Sequence, residues 1–231
     1  MGLDSVTVYI GWDSRESIAA EVCKYSILKH ATIPVDIVFL KQDELRLHNL
    51  YSREIDKLAS TEFTFTRFLV PALNEYKGFA VFMDCDILML EDIAKLLKKV
   101  RKTNAVTCVQ HDYTPEEGTK MDGQVQTVYP RKNWSSMVIW NCAHHANKLV
   151  TVDLVNDPET TGKYLHRFSW IKDKNIGSVG PEWNWLVGWY KETKKLKPNL
   201  IHYTEGGPWF EDYQDCEYSN IWNQYCEEYK E

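Results

Sequence analysis

The sequence predicts a single α/β domain over residues 1–231, and three observations carry that prediction. The chain opens strand–helix–strand. Short apolar runs and amphipathic stripes then keep alternating. One of those runs, Phe79-Ala-Val-Phe-Met, leads into two aspartates one residue apart, Asp84 and Asp86, and a second apolar run, Ile87-Leu-Met-Leu90, follows them. The 231 residues at 44% hydrophobic content are enough for a sizeable core.

In order, Ser5-Val-Thr-Val-Tyr-Ile-Gly11 is a strand ending in glycine. Asp13 and Glu16 have capping-box spacing, and Ile18, Ala19, Val22, Cys23 and Ile27 make the stripe of a helix ending near Lys29. Val35–Leu40 is the second strand. Residues 41–61 are polar and mixed, and read as a short helix and a loop. A helix is expected from about Glu62 to Leu73, with Arg67 in its apolar middle. Two readings of Arg67 stay open: a stem snorkelling to solvent, or an inward-pointing ligand for phosphate. The Asp-x-Asp strand comes next, then an amphipathic helix over Glu91–Val100, a strand over Ala105–Val109, and a polar loop over 114–133. Ser135–Asn141 is a strand. Helix is expected from about Ala143 to Asn156, a short strand ending at His202, and a helix over Ser219–Tyr229.

Composition narrows the function. Net charge is −6, which argues against a general nucleic-acid binder. No apolar run of about 18 residues marks a transmembrane helix, and the first residues lack the pattern of a signal peptide. The six cysteines include no Cys-x-x-Cys pair and read as reduced packing residues, so a cytoplasmic address is expected. Eight of the nine tryptophans fall from Trp134 onward. They are core fillers in the plainer reading, and stacking platforms for sugars in the other.

The aspartates carry the chemistry. Two carboxylates at the end of a buried strand cannot stay charged without a partner. At spacing i, i+2 in extended chain both project to one side, where a hard divalent cation such as Mn²⁺ or Mg²⁺ takes oxygen ligands. The edge of an α/β sheet at the strands' carboxyl ends is also where ligands bind. The other reading is a strand-ending turn. Gly11 to Arg15 reaches the same edge, without a Gly-x-Gly-x-x-Gly or Walker pattern. His144-His145 reads as two side chains pointing apart rather than a metal pair.

Five segments, in order, resemble one family. They are Val8-Tyr-Ile-Gly-Trp-Asp13, Phe65-Thr-Arg-Phe-Leu-Val-Pro71, Phe82-Met-Asp-Cys-Asp-Ile87, Trp134-Ser-Ser-Met-Val-Ile-Trp-Asn141 and Ile201-His-Tyr-Thr-Glu-Gly-Gly-Pro-Trp209. The chain resembles nucleotide-sugar glycosyltransferases of the GT-A fold, close to glycosyltransferase family 8 and its bacterial and phage relatives. The resemblance implies a Rossmann-related mixed sheet flanked by helices. It implies a nucleotide-binding half at about 1–110 and a sugar and acceptor half at about 111–231. It further implies transfer of a sugar, with retention, from a nucleotide-diphosphate sugar such as a UDP-sugar to a carbohydrate or other hydroxyl acceptor.

The residues carry over as follows. Asp84, Asp86 and His202 would hold the metal. Tyr9, Ile10, Gly11, Trp12, Asp13 and Arg15 would meet the nucleotide, with Arg67 and Cys85 beside the metal. Ser135, Ser136 and Asn141 would lie near the sugar or acceptor, and Gly206 and Gly207 would let backbone N–H groups approach phosphate. Glu182-Trp-Asn-Trp185 corresponds to a later family segment, which puts Glu182 and Asn184 with Arg67 and Asp86 among the catalytic candidates. Two departures stand out. The family's lysine before Pro-Trp is Gly207 here, so Lys120, Arg131 or Lys132 is expected to supply the charge. The family's Asp-Gln pair has no match at Phe168-Ser-Trp-Ile. Inversion would need a base, for which Asp112 and Glu182 are the carboxylates to consider. A nucleotidyltransferase and a non-catalytic sugar- or partner-binding protein on the same scaffold are the competing functions.

Overall fold

The computed structural model describes residues 4–54, 59–112, 118–119, 125–126 and 131–231. Its strands in chain order are β1 Val6–Gly11, β2 Val35–Leu40, β3 Phe79–Met83, β4 Ile87–Met89, β5 Val106–Val109, β6 Gly118–Thr119, β7 Val125–Gln126, β8 Met137–Asn141, β9 Ile176–Val179, β10 Trp185–Leu186 and β11 Leu200–His202. The helices are α1 Ser17–His30, α2 Gln42–Leu47, α3 Val70–Leu73, α4 Ile93–Leu97, α5 Val152–Asn156, α6 Gly162–His166 and α7 Ser219–Lys230.

Six strands form the main sheet in the order β2-β1-β3-β8-β5-β9. All run parallel except β8, which is antiparallel to both neighbours. Strands β5 and β8 are buried along their whole length and β3 from Ala80 onward, as central strands covered on both faces must be. One consequence positions the site. The carboxyl ends of β1, β2, β3, β5 and β9 meet at one edge, and β8 begins there, Met137 lying opposite Met83. A second, three-stranded sheet, β10-β11-β4, stands beside it. In it β11 is antiparallel to β4, with His202 opposite Ile87. Helix α7 covers this sheet, packing Trp222, Tyr225 and Cys226 on Leu88, Ile201 and Tyr203.

The expected strands are present, whereas several expected helices are shorter. Asp13 caps a single 3-10 turn, Ser14–Glu16, before α1, accepting from Arg15 N at 3.0 Å. Glu16 turns inward instead of closing a capping box. The helix expected from Glu62 begins only at Thr66, as a 3-10 turn running into α3, where Pro71 occupies an early position that needs no N–H donor. Asp92 starts α4 by accepting from Ala94 N at 2.9 Å. The helix expected over 143–156 is split: a 3-10 turn covers His145–Leu149, and Thr151 caps α5 by accepting from Leu154 N. His144 Nδ1 accepts from Ala146 N at 3.2 Å, so His144 serves as a cap, and its ring lies 4.3 Å from that of His145 rather than pointing away from it.

Most tryptophans are core. Trp140, Trp183 and Trp185 are fully buried. Trp140 stacks on Trp170 at 6.3 Å, and Phe68 meets Trp140 edge-on. The same Phe68 packs edge-on against the ring of His166, whose Nδ1 lies 2.7 Å from Ser135 Oγ. All six cysteines are free thiols.

Burial, reinforced by Arg67, holds the His166 imidazole well below its ordinary pKa. The unfolded chain therefore binds a proton below about pH 6.5 that the folded protein refuses, and stability falls as pH drops from there. The His166 share approaches about 1.4 kcal/mol per pH unit well below pH 6.5. Chemical denaturation at pH 7.5 and pH 5 is expected to show a smaller loss in His166→Gln than in the parent. Parallel curves would contradict a buried neutral ring. The comparison is between pH values, so the packing cost of the substitution cancels.

Candidate active site

Strand β3 delivers Asp84 to the sheet edge, and the turn into β4 delivers Asp86. Asp84 N donates to Ser136 O at 2.8 Å, and Tyr203 N donates to Asp86 O at 3.0 Å, so main chain from β8 and β11 fixes both residues. Cys85 between them points the other way, into the core, 1% exposed. Its thiol is therefore not a donor contact. Burial and then the carboxylates of Glu16, Asp86, Asp84 and Asp13 push it up. The β4–β11 pairing brings His202 alongside. One ligand atom each from Asp84, Asp86 and His202 fall within 4.8 Å of one another, and they form the candidate metal group found among the described residues.

A chain of hydrogen bonds orients the imidazole. Ser136 Oγ donates to Asn133 O at 2.7 Å, so it accepts from Asn184 Nδ2 at 2.9 Å. That leaves Asn184 Oδ1 to accept from His202 Nδ1 at 2.8 Å. With Nδ1 carrying the proton, a neutral ring presents its lone pair at Nε2, which faces Asp86 Oδ1 at 3.3 Å. Two electron-rich atoms at that distance call for a positive charge, either a proton or a cation. Two carboxylates and one imidazole are a fitting donor set for Mn²⁺ and an acceptable one for Mg²⁺. Asn184 is fully buried and acts through His202.

Arg67 resolves inward. Its Nη1 donates to Asp84 Oδ1 at 2.7 Å and to Ser135 O at 3.1 Å, while Phe63 and Phe82 lie 5.0 Å from the guanidinium. Ser135 thus contributes its carbonyl to Arg67 and its hydroxyl to His166. Asn141 is at the other end of β8, opposite Phe79, and its amide donates to Lys102 O and Asn104 O. It cannot meet a sugar at the Asp84 edge.

The first loop divides. Ile10 is core, and the Tyr9 hydroxyl is turned to Asn74 at 3.3 Å, so these two side chains support the strand rather than line the edge. Gly11 lies under the Phe63 ring, which a Cβ would strike. Asp13 is fully buried and satisfied by Arg15 (Nε 2.9 Å, Nη2 2.7 Å) and by Glu62 N. Trp12 and Arg15 line a cavity of about 520 Å³ with Gln42, Tyr51, Glu62 and Phe65, and Lys41 Nζ sits 4.5 Å over the Trp12 ring.

The glycine in place of the family's lysine has a steric explanation. A Cβ at Gly207 would collide with the indole of Trp209, and Gly206 has φ +135°, open to glycine. Trp209 Nε1 donates to Glu16 Oε2 at 3.2 Å. Burial, then Asp86 and Asp13, hold the Glu16 carboxyl well above the ordinary range. Of the expected substitutes, Lys120 lies outside the described residues. Arg131 is committed to Arg167 O and Asp173. Lys132 is buried beside Asn133, whose amide donates to Thr204 Oγ1, two residues past His202.

Glu182 does not join the group. Its carboxylate folds against Gly180 and faces Lys99 at 3.8 Å, and its carbonyl accepts from Asn199 N, three residues before His202. Asp112 is exposed. One residue the sequence reading missed belongs to this edge. His111 follows β5 and hydrogen-bonds Tyr190 OH at 2.7 Å through Nδ1, while burial and then His202 push it down to about 3. Its signal was positional: a polar residue two past the end of a strand of the main sheet.

No family model matches the chain. Protein CDI of Arabidopsis thaliana is 50% identical over 225 residues, covering 96% of this chain and 86% of that one. Among solved structures, the WbbM bifunctional glycosyltransferase superposes with TM-score 0.67 at 17% identity over 96% of this chain, and GlyE of Streptococcus pneumoniae TIGR4 with 0.64 at 13% over 97%. The chain spans 50% of the former and 60% of the latter. The galactosyltransferase LgtC, in complex with donor and acceptor sugar analogues, matches with TM-score 0.56 at 10% identity over 96% of both chains. No described helix is long and apolar enough to cross a membrane. The chain belongs to the same family as Protein CDI of Arabidopsis thaliana, and its fold is the GT-A fold of these glycosyltransferases.

Proposed function

We propose that the protein is a metal-dependent glycosyltransferase that moves a sugar from a nucleotide-diphosphate sugar, a UDP-sugar, to a hydroxyl acceptor with retention, in the cytoplasm. The observation that carries this reading is the Asp84–Asp86–His202 group beside Arg67 at the carboxyl edge of a GT-A sheet. In the reaction the bond between the anomeric carbon and the diphosphate oxygen breaks, and its electron pair stays on that oxygen. The acceptor oxygen forms the new bond to carbon, and its proton passes to the departing diphosphate. A divalent cation held by the three side chains would neutralise the charge that develops on the diphosphate.

The residues of the chain have distinct tasks. Arg67 holds Asp84 in place and keeps a positive charge beside the metal ligands. Asn184 and Ser136 set the His202 tautomer so that Nε2 is available as a ligand. Lys132 is the cation we assign to the diphosphate in place of the absent lysine. The cavity at Trp12 and Arg15 would take the nucleoside. Retention fits the position of Glu182, which is turned to Lys99 and unsuited to serve as the base that inversion requires.

A thermal-shift panel of nucleoside diphosphates with Mn²⁺ tests the reading. UDP with Mn²⁺ is expected to raise the melting temperature, and Asp86→Ala to abolish the gain and lower transfer by several powers of ten. No shift with any nucleoside diphosphate would sink the proposal. Asn184→Ala, which leaves all three ligands in place, is expected to weaken Mn²⁺ binding about 10- to 100-fold, read by titration calorimetry with UDP present. Gly207→Lys is expected to lower the melting temperature and leave UDP affinity unimproved, because the Trp209 indole fills that space. Tighter UDP binding in that variant would contradict the steric account.

A further inference from the structure

We propose that the end of the molecule opposite the metal edge docks on an anionic membrane surface. The docking face is basic and is made of the turn after α4 and the loop before β11. The proposal goes beyond the transferase reading and does not depend on it.

Two segments make the face. After α4 the chain carries Lys98, Arg101 and Lys102, and before β11 it carries Lys194, Lys195 and Lys197. Glu182 joins the two. Its carboxylate faces Lys99 at 3.8 Å, and its carbonyl accepts from Asn199 N at 2.7 Å, two residues after Lys197. The loop is ordered at its tip. Thr193 N donates to Leu196 O at 2.9 Å, and Thr193 Oγ1 accepts from Lys195 N at 3.3 Å and from Leu196 N at 3.1 Å. Lys194 and Lys195 therefore sit on a turn that is already formed before anything binds.

Charge is concentrated there. All six cations are exposed, and none has an ion-pair partner among the described residues. The acids nearby are engaged elsewhere: Glu192 accepts from Tyr218 OH at 3.0 Å, Glu182 faces Lys99, and Glu91 pairs with Lys95 at 2.8 Å. The chain as a whole has net charge −6, so a face of six uncompensated cations is a strong separation of charge.

Position gives the face a direction. Asn141 Nδ2 donates to Lys102 O at 2.9 Å, and Asn141 lies opposite Phe79, where β3 begins. Asp84 follows the other end of β3, so Lys102 and the metal edge are at opposite ends of the main sheet. The small sheet repeats this. Asn199 O accepts from Leu90 N at 2.9 Å, whereas His202 lies opposite Ile87, so Lys197 stands at the end away from His202. An anionic surface attracts the basic end and repels the carboxylates of the metal edge. One orientation is favoured, with the site turned to solvent.

The chemistry of the face selects the partner. Five of the six cations are lysines, compact charges on flexible stems, which suit a fluid layer of headgroups. A fixed carboxylate or phosphate is better held by the planar fork of arginine. None of the six lines the cavity at Trp12 and Arg15. They stand on a helix end and a loop tip, where a broad surface reaches them all. The cytoplasm, the location proposed above, is bounded by leaflets that carry anionic lipid.

The test is co-sedimentation of the intact chain with vesicles of phosphatidylcholine alone, and of phosphatidylcholine with about one third phosphatidylserine. Binding is expected to the second only, and to fall steeply as salt rises from about 0.05 to about 0.3 M. Lys194→Glu with Lys195→Glu is expected to lower partitioning about tenfold or more, and Lys194→Arg with Lys195→Arg to retain it. Lys163→Glu with Lys230→Glu makes the same change in net charge at exposed lysines of α6 and α7, and is expected to retain most of the binding. Failure to bind phosphatidylserine vesicles, equal binding to both kinds of vesicle, or an equal loss in the two glutamate pairs would each overturn the proposal. Capture on poly-glutamate without binding to vesicles would overturn it too, and would assign the face to an acidic protein. The intact chain's dependence on phosphatidylserine and salt decides the matter even if a variant fails to fold.

Discussion

Four carboxylates crowd one edge of the sheet, and the architecture around them follows from how each is compensated. Asp13 is fully buried and takes both a guanidinium and main-chain N–H groups. Asp84 has Arg67. Glu16 has an indole N–H as its hydrogen-bond partner among the described residues and responds in the other way available to a buried acid, by holding its proton more tightly. Asp86 faces an imidazole nitrogen whose proton has been assigned to the far side of the ring. At Asp86, two acceptors oppose each other across 3.3 Å, an arrangement that a divalent cation would satisfy.

This distribution explains why the loop after β11 lacks a lysine. An ammonium at position 207 would stand near Glu16 and Asp86, an electrostatically favourable place. The obstacle is volume. Trp209 needs the space above Gly207 to reach Glu16, and the indole N–H is the partner that Glu16 has among the described residues. Removing the partner of a buried acid costs more than the net worth of the bond, so the indole and a lysine exclude one another. Lys132, the cation we propose in its stead, precedes Asn133, whose amide donates to Thr204 Oγ1.

Much of the fold could be read in the sequence because its strands are short, apolar and bounded. Val35–Leu40 matches to the residue, and the Asp-x-Asp motif sits where a buried strand had to end. Helices were less legible: Thr151 and Asp92 as caps, and a 3-10 turn at Thr66–Leu69, shorten them by local hydrogen bonds that periodicity does not register. The metal group was legible in composition and, through the family resemblance, in His202. Its support was not. Asn184 is two residues from Glu182 and was indistinguishable from it in sequence. Only the parallel pairing of β10 with β11 turns one toward His202, while the other packs by Lys99. Tryptophan count was ambiguous for the same reason, since burial of Trp140 and exposure of Trp189 are decided by tertiary packing.

Strand β11 ties the two halves of the edge together. On one side it pairs with β4 and so sets His202 against Asp86; on the other it pairs with β10 and so sets the Trp189–Tyr190 turn. His202 carries both relations in one residue. Its Nε2 faces the carboxylates, its Nδ1 reaches Asn184 beside β10, and its carbonyl receives Val187 N. A shift of β11 by one residue would turn His202 to the opposite face of the small sheet and break all three. The apolar neighbours Leu200 and Ile201, fully buried against Met89 and Leu88, oppose that slip, because it would exchange them with a histidine that needs two polar partners. The packing of α7 on this sheet, remote from any ligand, is in that sense what keeps the site in register.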